Sequence, residues 1–91
     1  MKNNNVIESF FMNRPAKNKN LTTNGQSLYS YNLEIARADK DGGYVIFDYT
    51  AKSDSFVSNT TSQHVSSAKR IAPSKVTTVM NPFAAQTAGL I

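Results

Sequence analysis

The sequence contains no cysteine and no tryptophan, and His64 is its only histidine. Without cysteine the chain cannot form disulfide bonds, thiolate metal sites, iron–sulfur clusters or a cysteine nucleophile. Small secreted domains usually depend on disulfides, so their absence favours a reducing compartment. No apolar run approaches the roughly 20 residues that a transmembrane helix needs. We therefore expect a cytoplasmic protein that has no membrane partner.

The length of the chain, 91 residues, predicts one domain with a small core. Such a core has no room for a large buried cofactor, and we expect no cofactor. Within a single domain spanning 1–91 we expect three parts. These are a basic N-terminal segment at 1–19, a core module at 20–72, and a C-terminal strand with an apolar tail at 73–91.

Acidic residues are scarce at both ends of the chain, where the net charge of +4 is therefore concentrated. Residues 1–19 hold four bases and one acid, and residues 69–91 hold three bases and no acid. The segment 20–68 holds five acids and three bases. Basic ends around a slightly acidic centre suit the binding of phosphates. The candidate nucleic-acid-binding residues are Lys17, Lys19, Lys69, Arg70 and Lys75.

Two stretches show the alternation of apolar and polar residues that is typical of strands. Residues 28–37 predict one long strand, either straight or bent at Asn32. One face of that strand would carry Tyr29, Tyr31, Leu33 and Ile35. Residues 44–49 predict a second strand with Phe47 buried, and a glycine-rich turn at 39–43 joins the two as a hairpin.

Shorter signals extend this pattern in both directions. Asn24-Gly25 is typical of the centre of a type I′ turn, which predicts a further hairpin before the long strand. A loop is expected at 50–55, and the sequence VTTVM predicts a strand at 76–80.

The clearest helix is predicted at 60–71, where Thr60 would be the N-cap and Gln63 its capping-box partner. Lys69 and Arg70 would lie in the last turn, and Pro73 would end the helix. A short helix is also predicted at 5–13, with Asn5 as cap and Glu8 three residues later, although a strand remains the alternative. Asn81-Pro82 predicts the start of a short C-terminal helix.

These elements predict an α+β domain. Its small antiparallel sheet would have three to five strands, with one main helix at about 60–71 packed on it and short helices at both ends.

Two short motifs lie in the central part of the chain. Ser30-Tyr31 is followed by Ile35-Ala36, and Thr60-Thr61-Ser62 is followed by His64. Together they resemble the pattern of an uncharacterised family of small proteins encoded mainly by bacteriophages, over about residues 24–70. The resemblance implies a compact β-then-α module, a phage origin and the cytoplasm of an infected bacterial host. It implies no activity.

The segment around His64 does not predict an enzyme. The chain has no G-x-S-x-G elbow, and Ser62 and His64 point in different directions on a helix. A single histidine without cysteine cannot form a standard zinc site, so no metal is expected. The residues Thr60, Thr61, Ser62 and His64 either bind an anion at the helix start or satisfy the helix's own hydrogen bonds; capping is favoured.

The leading hypothesis is a non-enzymatic phage accessory protein whose basic ends bind nucleic acid. Strand tyrosines that could stack with bases are Tyr29, Tyr31, Tyr44 and Tyr49. The alternative is a protein-binding inhibitor of a host defence factor, or a minor virion component, acting through apolar ends or the tyrosine face. The sequence leaves a homo-oligomer open.

Overall fold

The computed structural model describes residues 2–50 and 57–89, which form three helices and six strands. The elements in chain order are α1 (Asn3–Phe11), β1 (Pro15–Lys17), β2 (Leu21–Asn24), β3 (Ser27–Ser30), β4 (Leu33–Ala38), β5 (Tyr44–Phe47), α2 (Asn59–Ile71), β6 (Thr77–Met80) and α3 (Pro82–Thr87). Most of the loop expected at 50–55 and the end of the apolar tail, 90–91, lie outside the described residues. The α+β class is confirmed.

The strands of the described chain form one sheet in the order β1-β2-β3-β4-β5-β6. Neighbours from β1 to β5 are antiparallel, whereas β6 is parallel to β5. The parallel pair arises because α2 returns the chain to the starting end of β5 before β6 begins. The predictions of a purely antiparallel sheet and of three to five strands are therefore wrong.

The core lies between one face of the sheet and both longer helices. Val6, Ile7 and Phe10 of α1 are fully buried, as are Val65 and Ala68 of α2. Helix α1 contacts α2 and the first three strands, and α2 also contacts β5. The prediction of one main helix is wrong, because both helices cover the sheet. None of the helices in the described ranges is long and apolar enough to cross a membrane.

An aromatic cluster fixes α1 to the sheet. The ring of Tyr44 lies edge-on to Phe10 and Phe11, with centroids 5.4 and 4.8 Å away. Its hydroxyl donates a hydrogen bond to the Phe11 carbonyl at 2.8 Å. Tyr44 is thereby enclosed in the core, because its apolar ring is covered and its polar atom has a partner.

Residues 28–37 form a hairpin, not the single strand that alternation predicts. Strand β3 ends at Ser30 and β4 begins at its partner Leu33. Tyr31 between them has φ of 56°, a left-handed conformation that bulky side chains rarely adopt. The reversal leaves Tyr31 on an exposed turn. It also places Tyr29 and Leu33 on opposite faces of the sheet. The predicted face shared by Tyr29, Tyr31, Leu33 and Ile35 is therefore wrong.

The Asn-Gly signal correctly predicts a hairpin turn, but the turn lies one residue further along. Gly25 and Gln26 form the loop, and Gly25 has φ of 93°. Asn24 precedes the loop, where its Oδ1 accepts hydrogen bonds from the N–H groups of Gln26 and Ser27 at 2.9 Å. A type I′ turn centred on Asn24-Gly25 is wrong, because Asn24 has no positive φ and acts as an Asx-turn residue.

The helix caps differ in detail from the sequence patterns. Ser58 is the N-cap of α2, since its Oγ accepts a hydrogen bond from the Thr61 N–H at 3.1 Å. The predicted cap at Thr60 is wrong by two residues. Helix α1 follows Lys2, and the predicted cap Asn5 lies inside the helix.

The C-terminal helix matches its prediction. Asn81 is the N-cap of α3, and its Oδ1 accepts a hydrogen bond from Phe83 N–H at 2.8 Å. Pro82 occupies the first helical position, where its missing N–H needs no partner.

Candidate functional site

The second face of the sheet, opposite α1 and α2, is the candidate site, and we call it the open face. Strand alternation and register assign its side chains, because their sequence neighbours enter the core. They are Lys17, Thr22, Tyr29, Glu34, Arg37, Val45, Phe47, Thr78 and Met80.

A β-bulge at Ile35 arranges the charges of the open face. The pairing of β4 with β3 shifts by one residue there, so Ile35 and Ala36 both enter the core. Residues three apart in a regular strand would point to opposite faces. The bulge instead puts Glu34 and Arg37 on the same face. They form a two-point ion pair, with Nη2 to Oε1 at 2.5 Å and Nε to Oε2 at 3.2 Å.

The guanidinium of Arg37 is held above an aromatic ring. Its central carbon lies 5.8 Å from the ring centroid of Phe47. The hydrogen bond to Glu34 raises the pKa of Arg37, outweighing the opposite effect of partial burial, and the nearby Tyr29 phenol acts in the same direction. Arg37 has a more exposed side chain than Glu34, 38% against 17%, so the pair presents its cation to solvent.

A groove of about 540 Å³ opens beside Arg37, next to the β4–β5 hairpin. Its apolar floor is formed by Val45 and Met80, and the almost fully buried Phe47 also lines it. Its rim includes Arg37, Lys40 and Asp39, and the last two are exposed. The volume lies in the range of small-molecule pockets, and an apolar floor with few polar groups at the rim is the usual composition of such pockets.

The predicted basic residues do not converge on one patch. Lys17 lies on the open face at the β1 edge, and Lys19 lies in the following turn. Lys75 precedes β6 at the opposite edge, and Arg70 is exposed on α2. Nζ of Lys69 makes an ion pair with Oδ1 of Asp48 at 3.1 Å. Only Lys17 of this set shares a sheet face with Arg37.

The carboxylate of Asp48, beside the last turn of α2, makes three polar contacts. Besides Lys69, it accepts hydrogen bonds from the Thr50 hydroxyl at 2.6 Å and the Thr50 N–H at 3.2 Å. Partial burial raises the pKa of Asp48, but the hydrogen bonds from Thr50 and Lys69 outweigh it, and the net shift is downward. Lys69 therefore has an internal partner that a phosphate would have to replace.

The motif around His64 forms a buried polar cluster. Oγ of Ser30 lies 2.7 Å from Nδ1 of His64 and 3.1 Å from Oγ1 of Thr61. All three side chains are buried, and burial lowers the pKa of His64. Thr60 and Ser62 lie half-buried in the first turn of α2. Thr61 and His64 therefore point into the protein, where they fasten α2 to β3.

Sequence patterns predicted neither the Ser30–His64 contact nor the Glu34–Arg37 ion pair, because neither follows from the local spacing of residues. Ser30 and His64 are 34 residues apart, so no local period could reveal their contact. Glu34 and Arg37 share a face only because of the bulge, which has no compositional signature in β4. Tyr44, a candidate for base stacking, belongs to the core instead.

Comparison with known proteins gives one result. No curated protein and no solved structure matches the chain significantly. One family model matches residues 4–78, from α1 into β6, and this stretch includes the core and nearly all of the open face. The chain therefore belongs to a family of unknown function, DUF8033.

Proposed function

We propose that the protein is a non-enzymatic module that holds single-stranded nucleic acid on the open face of its sheet. The observation that carries this proposal is the cation of Arg37, placed beside Tyr29 and above Phe47 at the rim of an apolar groove.

The groove offers the surroundings that an unpaired base requires. Bases stack on aromatic rings and on guanidinium planes, and they do so with little dependence on sequence. Arg37 is held in one orientation by Glu34, so little side-chain freedom would be lost on binding. The apolar floor of Val45 and Met80 would cover the other side of a base. A duplex hides these faces, which favours a single strand.

Exposed cations beside the groove would attract the phosphates. Lys40 lies at the rim and Lys17 lies across the same face, and both side chains belong to exposed residues. The net charge of +4 would add a longer-range attraction at low salt. The resemblance to small phage-encoded proteins supplies a setting, the cytoplasm of an infected bacterial host, where single strands arise during replication and transcription.

The test is fluorescence anisotropy with labelled DNA and RNA oligonucleotides across a series of salt concentrations. The wild-type protein should bind, with affinity falling steeply as salt rises. Lys17→Gln combined with Arg37→Gln should weaken binding by about tenfold or more, since one stacked base contributes roughly 1–3 kcal/mol. The same double variant should also flatten the salt dependence.

A matched control separates the open face from general basicity. Arg70→Gln combined with Lys75→Gln removes the same charge away from the open face and should change affinity less than the first double variant. Equal losses would mean that binding follows overall charge and is not specific to the open face. Absence of any salt-dependent complex would contradict nucleic-acid binding altogether.

A second candidate is a protein-binding role, as an inhibitor of a host factor or as a minor virion component. The observation that favours it is Phe83 of α3, which is 73% exposed. A protein that is enriched on the wild-type chain, but not on Phe83→Ser, would support this alternative.

A further inference from the structure

The two edges of the sheet are built differently. Edge strand β1 has three residues and includes Pro15, which lacks an N–H, and Lys17, which is charged. Both features discourage a further strand from pairing. Edge strand β6 has four residues, Thr-Thr-Val-Met, with neither proline nor charge. Of the edges in the described part of the chain, only β6 lacks these protections.

The surroundings of β6 are neutral and partly apolar. No charged residue occurs from position 76 to position 91. Val76 and Val79 are each 48% exposed, and Phe83 of the adjoining α3 is more exposed still. A chain with net charge +4 thus has one edge where a second copy could approach without repulsion between like charges.

Hydrogen bonds to β5 fix which backbone groups of β6 point outward. The carbonyls of Val76 and Met80 accept hydrogen bonds from the N–H groups of Tyr44 and Asp48. Even-numbered residues of β6 therefore direct their backbone groups toward β5. Thr77, between them, directs its N–H and carbonyl away from the sheet, as does Val79.

We propose that β6 pairs antiparallel with β6 of a second copy, about a two-fold axis at Thr78. In this register Thr77 of each copy stands opposite Val79 of the other, and each such pair exchanges two hydrogen bonds. Lys75 would stand opposite Asn81, so no like charges face each other. One self-complementary contact pairs the β6 edges of both copies at once, whereas the β1 edge could not provide such a strand.

The test is the mass of the full chain in solution, measured by size-exclusion chromatography with light scattering. The wild-type protein should have twice the chain mass of 10.0 kDa, about 20 kDa. Val79→Lys should reduce this to 10.0 kDa, because two lysines would then lie diagonally across the axis, about 7–8 Å apart. Met12→Lys is the matched control, since Met12 is 56% exposed and directly follows α1, which packs on α2 and the first three strands; this variant should remain dimeric.

A charge-reversal mixture guards against simple misfolding. Val79→Glu alone should be monomeric, but mixing it with Val79→Lys should restore a species of about 20 kDa, because opposite charges would then lie diagonally across the axis. A wild-type monomer at every attainable concentration would overturn the proposal. So would a dimer that survives Val79→Lys, or a mixture that stays monomeric.

Discussion

Ser30 Oγ lies 2.7 Å from Nδ1 of His64, and this contact joins the third strand to the second helix inside the core. The serine hydroxyl is also shared with Thr61, so three buried polar side chains satisfy one another. A satisfied buried cluster of this kind restricts how α2 can be placed on the sheet.

His64 should make stability depend on pH near neutrality. Burial lowers its pKa in the folded state, so the unfolded chain binds the proton more readily. The stabilising contribution is therefore present above about pH 6.5, the ordinary histidine pKa, and is lost as pH falls through the folded pKa. The free energy of unfolding in urea should be lower at pH 5.5 than at pH 7.5. His64→Gln should flatten this dependence, and an unchanged slope would show that His64 is not its source.

Phe47→Ala should lower the free energy of unfolding by about 3–5 kcal/mol. The side chain is 1% exposed, as the strand alternation of 44–49 predicts. It is buried on the sheet face that α1 and α2 do not cover. Phe83→Ala is the control, because the exposed ring should contribute within about 0.5 kcal/mol. Chemical denaturation of both variants measures the difference. Similar losses would mean that Phe47 is not packed as described.

Asp48→Ala should destabilise the protein more than Lys69→Ala. Removing Lys69 breaks only a partly exposed ion pair, which is worth less than about 1 kcal/mol after solvent screening. Removing Asp48 also takes away the acceptor of two hydrogen bonds from Thr50, for a loss of about 1–2 kcal/mol. Thermal or urea unfolding at pH 7 compares the two, and a larger effect of Lys69→Ala would contradict this ranking.

Gly25→Ala should cost more stability than Gly42→Ala. Both glycines have φ near 90°, which strains an alanine in either place. At Gly25 a Cβ would also meet the Asn13 carbonyl oxygen at 3.0 Å, whereas at Gly42 it would meet nothing within 4 Å. We expect a loss above about 1 kcal/mol at Gly25 and a smaller one at Gly42, measured by urea denaturation. Equal losses would mean that the backbone contact yields easily.

Local signals predicted those parts of the fold that depend on local chemistry. Asn81-Pro82 predicted the start of α3, because capping requires only neighbouring residues. The helices predicted at 5–13 and 60–71 are present as α1 and α2, because helical patterns depend on residues only three or four positions apart. The strand at 76–80 was also predicted, although its parallel pairing was not.

The errors lie where long-range packing overrides local preference. Tyr31 adopts a left-handed conformation without any glycine or proline to indicate it, so alternation predicts one strand where the structure has two. The bulge at Ile35 then placed Glu34 and Arg37 together, which no alternation rule anticipates. The groove beside Arg37 depends on this bulge and on the parallel pairing of β6, which contributes Thr78 and Met80, so that part of the site could not be predicted from the sequence.

The crossover through α2 also bears on the order in which the sheet assembles. Each of the first five strands pairs with its neighbour along the chain, whereas β6 must wait until α2 has docked, since Tyr44 pairs with the distant Thr77. Closing a longer loop carries a larger entropy cost, which delays such contacts. We expect β6 to join the sheet last and to detach first. In native-state hydrogen exchange, the amide of Met80 should accordingly lose protection at a lower opening free energy than that of Ala36.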